Sequence, residues 1–141
     1  MLTHAALHPQ LEADTVFVTD LPLSTVLLAR DANYPWLILV PRPAGMVELI
    51  DLAPQDANQM MVEITICSHA MQTVSACHKL NVAALGNQVP QLHVHVIGRF
   101  KDDPAWPGPI WGVVPAIAYA PGELESRADQ FRTAINQQSA D

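Results

Sequence analysis

From Gln91 to Val96 apolar and polar residues alternate: Leu92, Val94 and Val96 fall on one parity, and Gln91, His93 and His95 fall on the other, before Ile97 ends the pattern. A strand sends successive side chains to opposite faces, so this period of two predicts a strand with Leu, Val and Val against a packed interior. Its other face then carries a row of polar groups spaced roughly 6.5–7 Å apart. A strand of this kind needs a sheet, and the rest of the chain supplies one. Trp36 to Val40 is an unbroken apolar run, the signature of a central strand covered on both faces.

Thr15 to Val18 reads as a short strand ended by Asp20-Leu21-Pro22, and Ser24 to Arg30 as a second strand. Asp31 to Pro35 is turn chemistry, which folds the second strand back as a hairpin onto the Trp36 strand. Pro41 to Gly45 breaks the sheet pattern. Pro54 suits a first helical turn, with Gln55 and Asp56 near the positive end of the dipole. Ala57, Met60, Ile64, Cys67, Met71 and Val74 then recur at three- and four-residue steps as a core face. Val62, Ile66 and Ala70 form a second apolar line beside it, so the helix has two sides to bury. Leu80 to Leu85 is a further strand, and Gly86 to Pro90 is the loop before the alternating segment. After Arg99 the prolines at 104, 107, 109 and 115, with Trp106 and Trp111, read as a wrapped arm. Gly122 to Asn136 closes the chain as a helix with Leu124, Ala128, Phe131 and Ile135 on one face.

The fold expected is α+β: an antiparallel sheet of about five strands, a long middle helix and a C-terminal helix. At 141 residues the chain is expected to be one domain, with a core over about 1–108 and the arm and closing helix over 109–141.

The alternating segment and its surroundings resemble the histidine triad family of nucleotide hydrolases and transferases. The family motif is His-φ-His-φ-His-φ-φ, with φ apolar; this chain has Gln-Leu-His-Val-His-Val-Ile. The resemblance extends over roughly the first hundred residues. It takes in the strand ending in proline (Leu37-Ile38-Leu39-Val40-Pro41), the long helix and the strand at Asn81, and Trp106-Pro107-Gly108 is similar to a family tail.

By that resemblance His93 is the nucleophile that forms a covalent nucleotidyl-histidine, and His95 contacts the phosphate and leaving group. Gln91 stands where the family has its first histidine. It can make hydrogen bonds and its backbone carbonyl can orient His93, but it cannot carry a positive charge or shuttle a proton. Trp36 stands where family members often have a fourth histidine. Asn81, Asn87 and Gln88 match positions that contact phosphate and leaving group, and Asp31 lies near the ribose position. The implied function is hydrolysis or transfer at the α-phosphate of a dinucleoside polyphosphate, a phosphoramidate or an adenylylated metabolite, in a homodimer, with no cofactor. A catalytically weak nucleotide-binding or regulatory protein is the alternative.

Two other readings of the polar row stand beside this one. Gln91, His93 and His95 can be a hydrogen-bonded row inside a subunit interface. His-x-His on one strand face can also supply two metal ligands, but zinc takes three or four and no Cys, Asp or Glu is spaced nearby to complete the set.

Half of the residues are hydrophobic and 15% charged, which excludes a disordered chain. A net charge of −7 argues against binding a nucleic-acid backbone, although a small anionic substrate needs only local positive charge. Arg30, Arg42, Arg99 and Lys101 flank the strand segments, where solubility charges at strand ends explain them equally well. The first twenty residues lack a basic start and a long apolar run, and no stretch approaches the ~18 apolar residues of a membrane span. Cys67 and Cys77 are read as sharing a helix, roughly 15 Å apart and too far for a disulfide, which fits reduced thiols and a cytoplasmic location. His4, His8, His69 and His78 read as solvated or core histidines.

Overall fold

The structure, a computed structural model, describes residues 6–139, and His4 lies outside the described residues. Five antiparallel strands form one sheet: β1 (Thr15–Asp20), β2 (Ser24–Ala29), β3 (Trp36–Pro41), β4 (Lys79–Ala83) and β5 (Val94–Arg99), in the order β1-β2-β3-β5-β4. The uninterrupted apolar run is indeed the central strand. β3 pairs with β2 on one side (Leu28 opposite Leu37) and with β5 on the other (Ile38 opposite His95). Asn81 lies opposite Ile97 and Ala83 opposite His95 on the β4 edge.

The two faces of this sheet have different work. Leu37, Leu39, Val94 and Val96 pack into the main core with α2 (Pro54–Ser75) and α3 (Glu123–Ser139), through Met60, Cys67, Met71, Phe131 and Ile135. The opposite parity, Leu27, Ala29, Ile38 and Val40, packs with Leu11 from a short helix, α1 (Pro9–Asp14). Gly98 marks where the sheet meets the end of α2. A Cβ there would stand 3.0 Å from Met71 Sδ and from Pro35 Cγ, a crowding that only a shift of these neighbours would relieve.

Several elements end elsewhere than the pattern predicts. β5 begins at Val94, not Gln91, because the Leu92 N–H is donated to the Met46 carbonyl (2.9 Å) outside any ladder. β4 ends at Ala83; beyond it the Leu85 carbonyl faces the His95 ring. α2 stops at Ser75 with Ala76 in the left-handed region (φ 54°), so Cys77 lies past the helix. Cys67 and Cys77 are free, and burial, reinforced by the Glu63 carboxylate, pushes the Cys67 thiol up to about 12. Ala57 is exposed and the core stripe of α2 starts at Met60. α1 has too few residues to show a period; Pro9 opens it and His8 Nδ1 caps it from the Gln10 N–H (3.0 Å). Among the described residues no helix is long and apolar enough to cross a membrane.

Glu63 escapes any reading of hydrophobic period, yet it is fully buried on α2. Its carboxylate accepts from the N–H groups of Leu23 (2.8 Å) and Ser24 (2.9 Å), tying the β1–β2 turn to the helix, and Gln59 Nε2 adds a third bond (2.8 Å). Glu63→Ala strands two buried backbone donors, so we expect a loss of about 2–4 kcal/mol in denaturant unfolding. A loss below about 0.5 kcal/mol would show that water replaces the carboxylate there.

Candidate active site

The face of the sheet away from α2 and α3 opens into a cavity of about 890 Å³. His93 and His95 form part of its floor, Trp36 and Ile38 continue it on β3, α1 contributes Leu11 and Ala13, and the proline-rich arm covers it with Ile110 and Trp111. The alternation along the motif survives, since the apolar parity enters the helix-side core while both histidines line the cavity.

Each imidazole is fixed by its partners. His93 Nδ1 lies 2.7 Å from the Gln91 carbonyl oxygen. A carbonyl can only accept, so Nδ1 carries a proton, and in the neutral ring Nε2 is the nitrogen with the lone pair. The loop before the motif comes close to this ring: a Cβ on Gly86 would stand 3.8 Å from His93 Cε1 and 3.1 Å from the Val89 carbonyl. His95 has the reverse arrangement. Trp36 Nε1–H donates to His95 Nδ1 (2.9 Å), and His95 Nε2 faces the Leu85 carbonyl at 3.3 Å. The ring is enclosed by Trp36, Trp111 and His93, with centroid separations of 5.6, 5.1 and 4.9 Å. Burial, and then His93 beside it, lower the His95 pKa to about 4, against a smaller opposing effect of the Leu85 carbonyl.

Of the residues singled out in sequence, His93, His95, Asp31, Asn87 and Gln88 line the cavity together. Asp31 takes three bonds on Oδ1, from Asn33 N (2.9 Å), Asn33 Nδ2 (2.8 Å) and Ile117 N (3.2 Å), while Oδ2 has no protein partner among the described residues. Two residues are placed differently. The Gln91 side chain is not among the residues lining the cavity: its Oε1 accepts from the His8 N–H (2.8 Å) and its Nε2 donates to the Ala6 carbonyl (3.3 Å). It lies before the ladder, where no strand partner enforces the alternation, and it ties down the N-terminal segment. Asn81 is not among the residues lining the cavity; its Oδ1 accepts from Arg99 Nη1 (2.6 Å).

Arg99 is no solubility charge. It is 1% exposed and makes a two-pronged pair with Asp103, Nε to Oδ2 at 2.7 Å and Nη2 to Oδ1 at 3.0 Å. Asp103 also accepts from the N–H groups of Phe100, Ala105 and Trp106 (3.1, 3.1 and 2.8 Å), so this knot fixes the start of the arm. Burial raises the Asp103 carboxyl, but the bonds from Arg99, Phe100 and Ala105 and the guanidinium charge outweigh it and bring it down to about 2. The far end of the arm is stitched to the β2–β3 turn by Ala32 N to the Ile117 carbonyl (2.7 Å) and Asn33 Nδ2 to the Pro115 carbonyl (2.9 Å). Sequence reasoning passed over Tyr34 and the lining role of Trp111. Tyr34 is 2% exposed, packed with Ile97 and Ile110, and its hydroxyl has no hydrogen-bond partner among the described residues. Among the described residues no three His, Cys, Asp or Glu side chains converge on a point where a metal could bind.

Comparison with known proteins gives one family. The HIT domain profile matches residues 10–102. A histidine triad protein from Bradyrhizobium japonicum shares 47% identity over 96% of this chain and 98% of its own, with a TM-score of 0.88. One from Marinobacter aquaeolei shares 39% identity, over the same shares of each chain, with a TM-score of 0.91. One from Sinorhizobium meliloti shares 36% over 94% of this chain and 96% of its own, with a TM-score of 0.87. No curated protein matches the chain.

Proposed function

This chain belongs to the histidine triad (HIT) family, and from that premise we propose that it hydrolyses or transfers at the α-phosphate of a nucleotide through His93. The observation that carries the reading is the 2.7 Å bond from His93 Nδ1–H to the Gln91 carbonyl, which leaves the Nε2 lone pair available in a cavity. Neutral imidazole with a fixed tautomer is a competent nucleophile toward phosphorus. Nε2 attacks, a P–N bond forms, and the bond to the leaving group breaks with its electron pair departing on the leaving group. Water or another acceptor then attacks phosphorus, the P–N pair returns to His93 Nε2, and the acceptor's proton passes to solvent or to the departed group.

The lining groups fit the parts of such a substrate. The side-chain amides of Asn87 and Gln88 can donate to non-bridging phosphate oxygens, and the second oxygen of Asp31 can accept from a ribose hydroxyl. Gln91 serves through its main-chain carbonyl. Adenosine or guanosine monophosphate should therefore bind by calorimetry even without turnover. Asp31→Ala should weaken binding by roughly tenfold, about 1.4 kcal/mol. Absence of heat and of a thermal shift at millimolar nucleotide would remove the reading.

The alternative, a nucleotide-binding protein with little turnover, draws on the Gln91 side chain, which is spent on the N-terminal segment. Binding without hydrolysis of even activated nucleotide esters would establish it. We also propose a homodimer. Met61 is 60% and Val62 50% exposed beside Ile66 on α2, an apolar strip that a second subunit would cover.

A further inference from the structure

We propose that Trp36 is a positioning residue that locks His95 in its neutral Nε2–H tautomer, so that the site expels only leaving groups that depart as stable anions without a donated proton. The substrate class is then a nucleotide joined to phosphate, polyphosphate or carboxylate, and not to an amine. The inference rests on the reading that His93 is the nucleophile.

The lock follows from donor and acceptor counting. Trp36 Nε1 carries a hydrogen and no lone pair, so at 2.9 Å it requires an acceptor at His95 Nδ1. A neutral imidazole with an accepting Nδ1 holds its single proton on Nε2, where the Leu85 carbonyl, 3.3 Å away, can take the bond. Protonating Nδ1 would set two N–H groups against each other in a pocket where His95 is 4% exposed. Trp36 cannot turn aside freely, because Trp111 stands edge-on to it at 6.4 Å and both rings flank the imidazole.

A neutral imidazole in this state is not a general acid. Its Nε2–H can donate a hydrogen bond to a phosphate or leaving-group oxygen, but giving that proton up would create an imidazolate. The other groups around the cavity do not supply an acid. Asp31 in the β2–β3 turn is engaged as an acceptor, with three N–H groups on its Oδ1, Asp14 on α1 accepts from Gln10 Nε2 (2.8 Å), and His93 has its Nδ1 proton committed to the Gln91 carbonyl. Tyr34 is shut in with its hydroxyl buried. Burial and the neighbouring His93 ring, which lower the His95 pKa to about 4, act in the same direction as the tryptophan. An amine must be protonated to leave, whereas a phosphate or carboxylate leaves as it is, so the first is disfavoured and the second is not.

The test compares the unmodified protein with Trp36→Phe, which keeps the aromatic wall and removes the donor, and with Trp36→His. NMR of the histidine ring nitrogens in ligand-free protein should show His95 with a bare Nδ1 and a protonated Nε2, unchanged from about pH 5 to about pH 8. In Trp36→Phe the His95 ring should begin to titrate inside that window. The ratio of nucleoside phosphoramidate to nucleotide nitrophenyl ester turnover should rise at least ~10-fold on the acid side, as general acid help becomes available. Trp36→His should raise the same ratio. A His95 tautomer and a substrate ratio that stay the same in both variants would overturn the proposal, as would equal turnover of the two substrates by the unmodified protein. The ring-nitrogen measurement needs no substrate. A protein that shows the lock but binds no nucleotide therefore overturns the functional reading and the leaving-group preference together, while the tautomer assignment stands.

Discussion

His93→Ala is expected to lower turnover of an activated nucleotide ester by ~10⁴-fold or more while leaving nucleoside monophosphate affinity within about threefold. On the proposed mechanism His93 is the nucleophile, so its removal deletes the covalent route, and losses of this order accompany the loss of a group that acts as one member of a catalytic unit. Binding persists because the ligand contacts assigned to Asn87, Gln88 and Asp31 lie on other elements, the loop before the motif and the β2–β3 turn. Single-turnover kinetics with calorimetry on the same preparation separates the two quantities. More than about 1% residual activity with clean binding would place the nucleophile on an atom other than His93 Nε2.

The second large effect concerns stability. Arg99→Met is expected to cost about 3–5 kcal/mol, because it leaves the Asp103 carboxylate buried without its counter-charge. A domain of ordinary stability holds only ~5–15 kcal/mol in all, so the variant should melt far below the parent. The same pair fixes a pH dependence. Asp103 has its folded pKa depressed from 3.8 to about 2, so its contribution is fully present above 3.8 and is lost as pH falls from 3.8 to about 2. In Arg99→Met the acid limb of the unfolding curve should shift toward higher pH. A variant within about 1 kcal/mol of the parent, with an unchanged acid limb, would mean that the backbone donors of Phe100, Ala105 and Trp106 suffice for the carboxylate.

The sheet was legible because each strand announces itself locally. Trp36 to Val40 could only be a doubly covered strand, and Leu92, Val94 and Val96 could only face a core if their neighbours faced away from it. The histidine pair followed from the same parity. What stayed hidden was set by partners distant in sequence. Whether Gln91 would point into the cavity depended on the main chain at Ala6 and His8, more than eighty residues earlier. Arg99 looked like an end-of-strand charge because its partner Asp103 lies in a stretch without period, and Glu63 reads as an ordinary polar residue on a helix until the turn at Leu23 folds onto it. Trp36 was visible as a replacement for a histidine; the direction of its N–H was not. In each case the missing information is the target of a hydrogen bond, which propensity and hydrophobic period do not encode.

The arm carries a consequence of a different order. It crosses the cavity as one continuous stretch and is fastened at two points, the Asp103 knot where it begins and the 31–33 turn near its end. The family profile stops at residue 102, so Ile110, Trp111 and Ala116 to Ala118 form a wall of the cavity from outside it. The molecule therefore divides into a chassis, which carries His93 and the Gln91 carbonyl that fixes its ring, and a cassette clipped over it. Exchanging residues 104–118 for the matching stretch of a relative leaves His93 untouched, and the arm's side of each clip at 105, 106, 115 and 117 is main chain, which a different sequence also carries. With Trp111 retained against Trp36 and His95, the range of molecules that such a scaffold accepts can be rewritten separately from the state of its histidines.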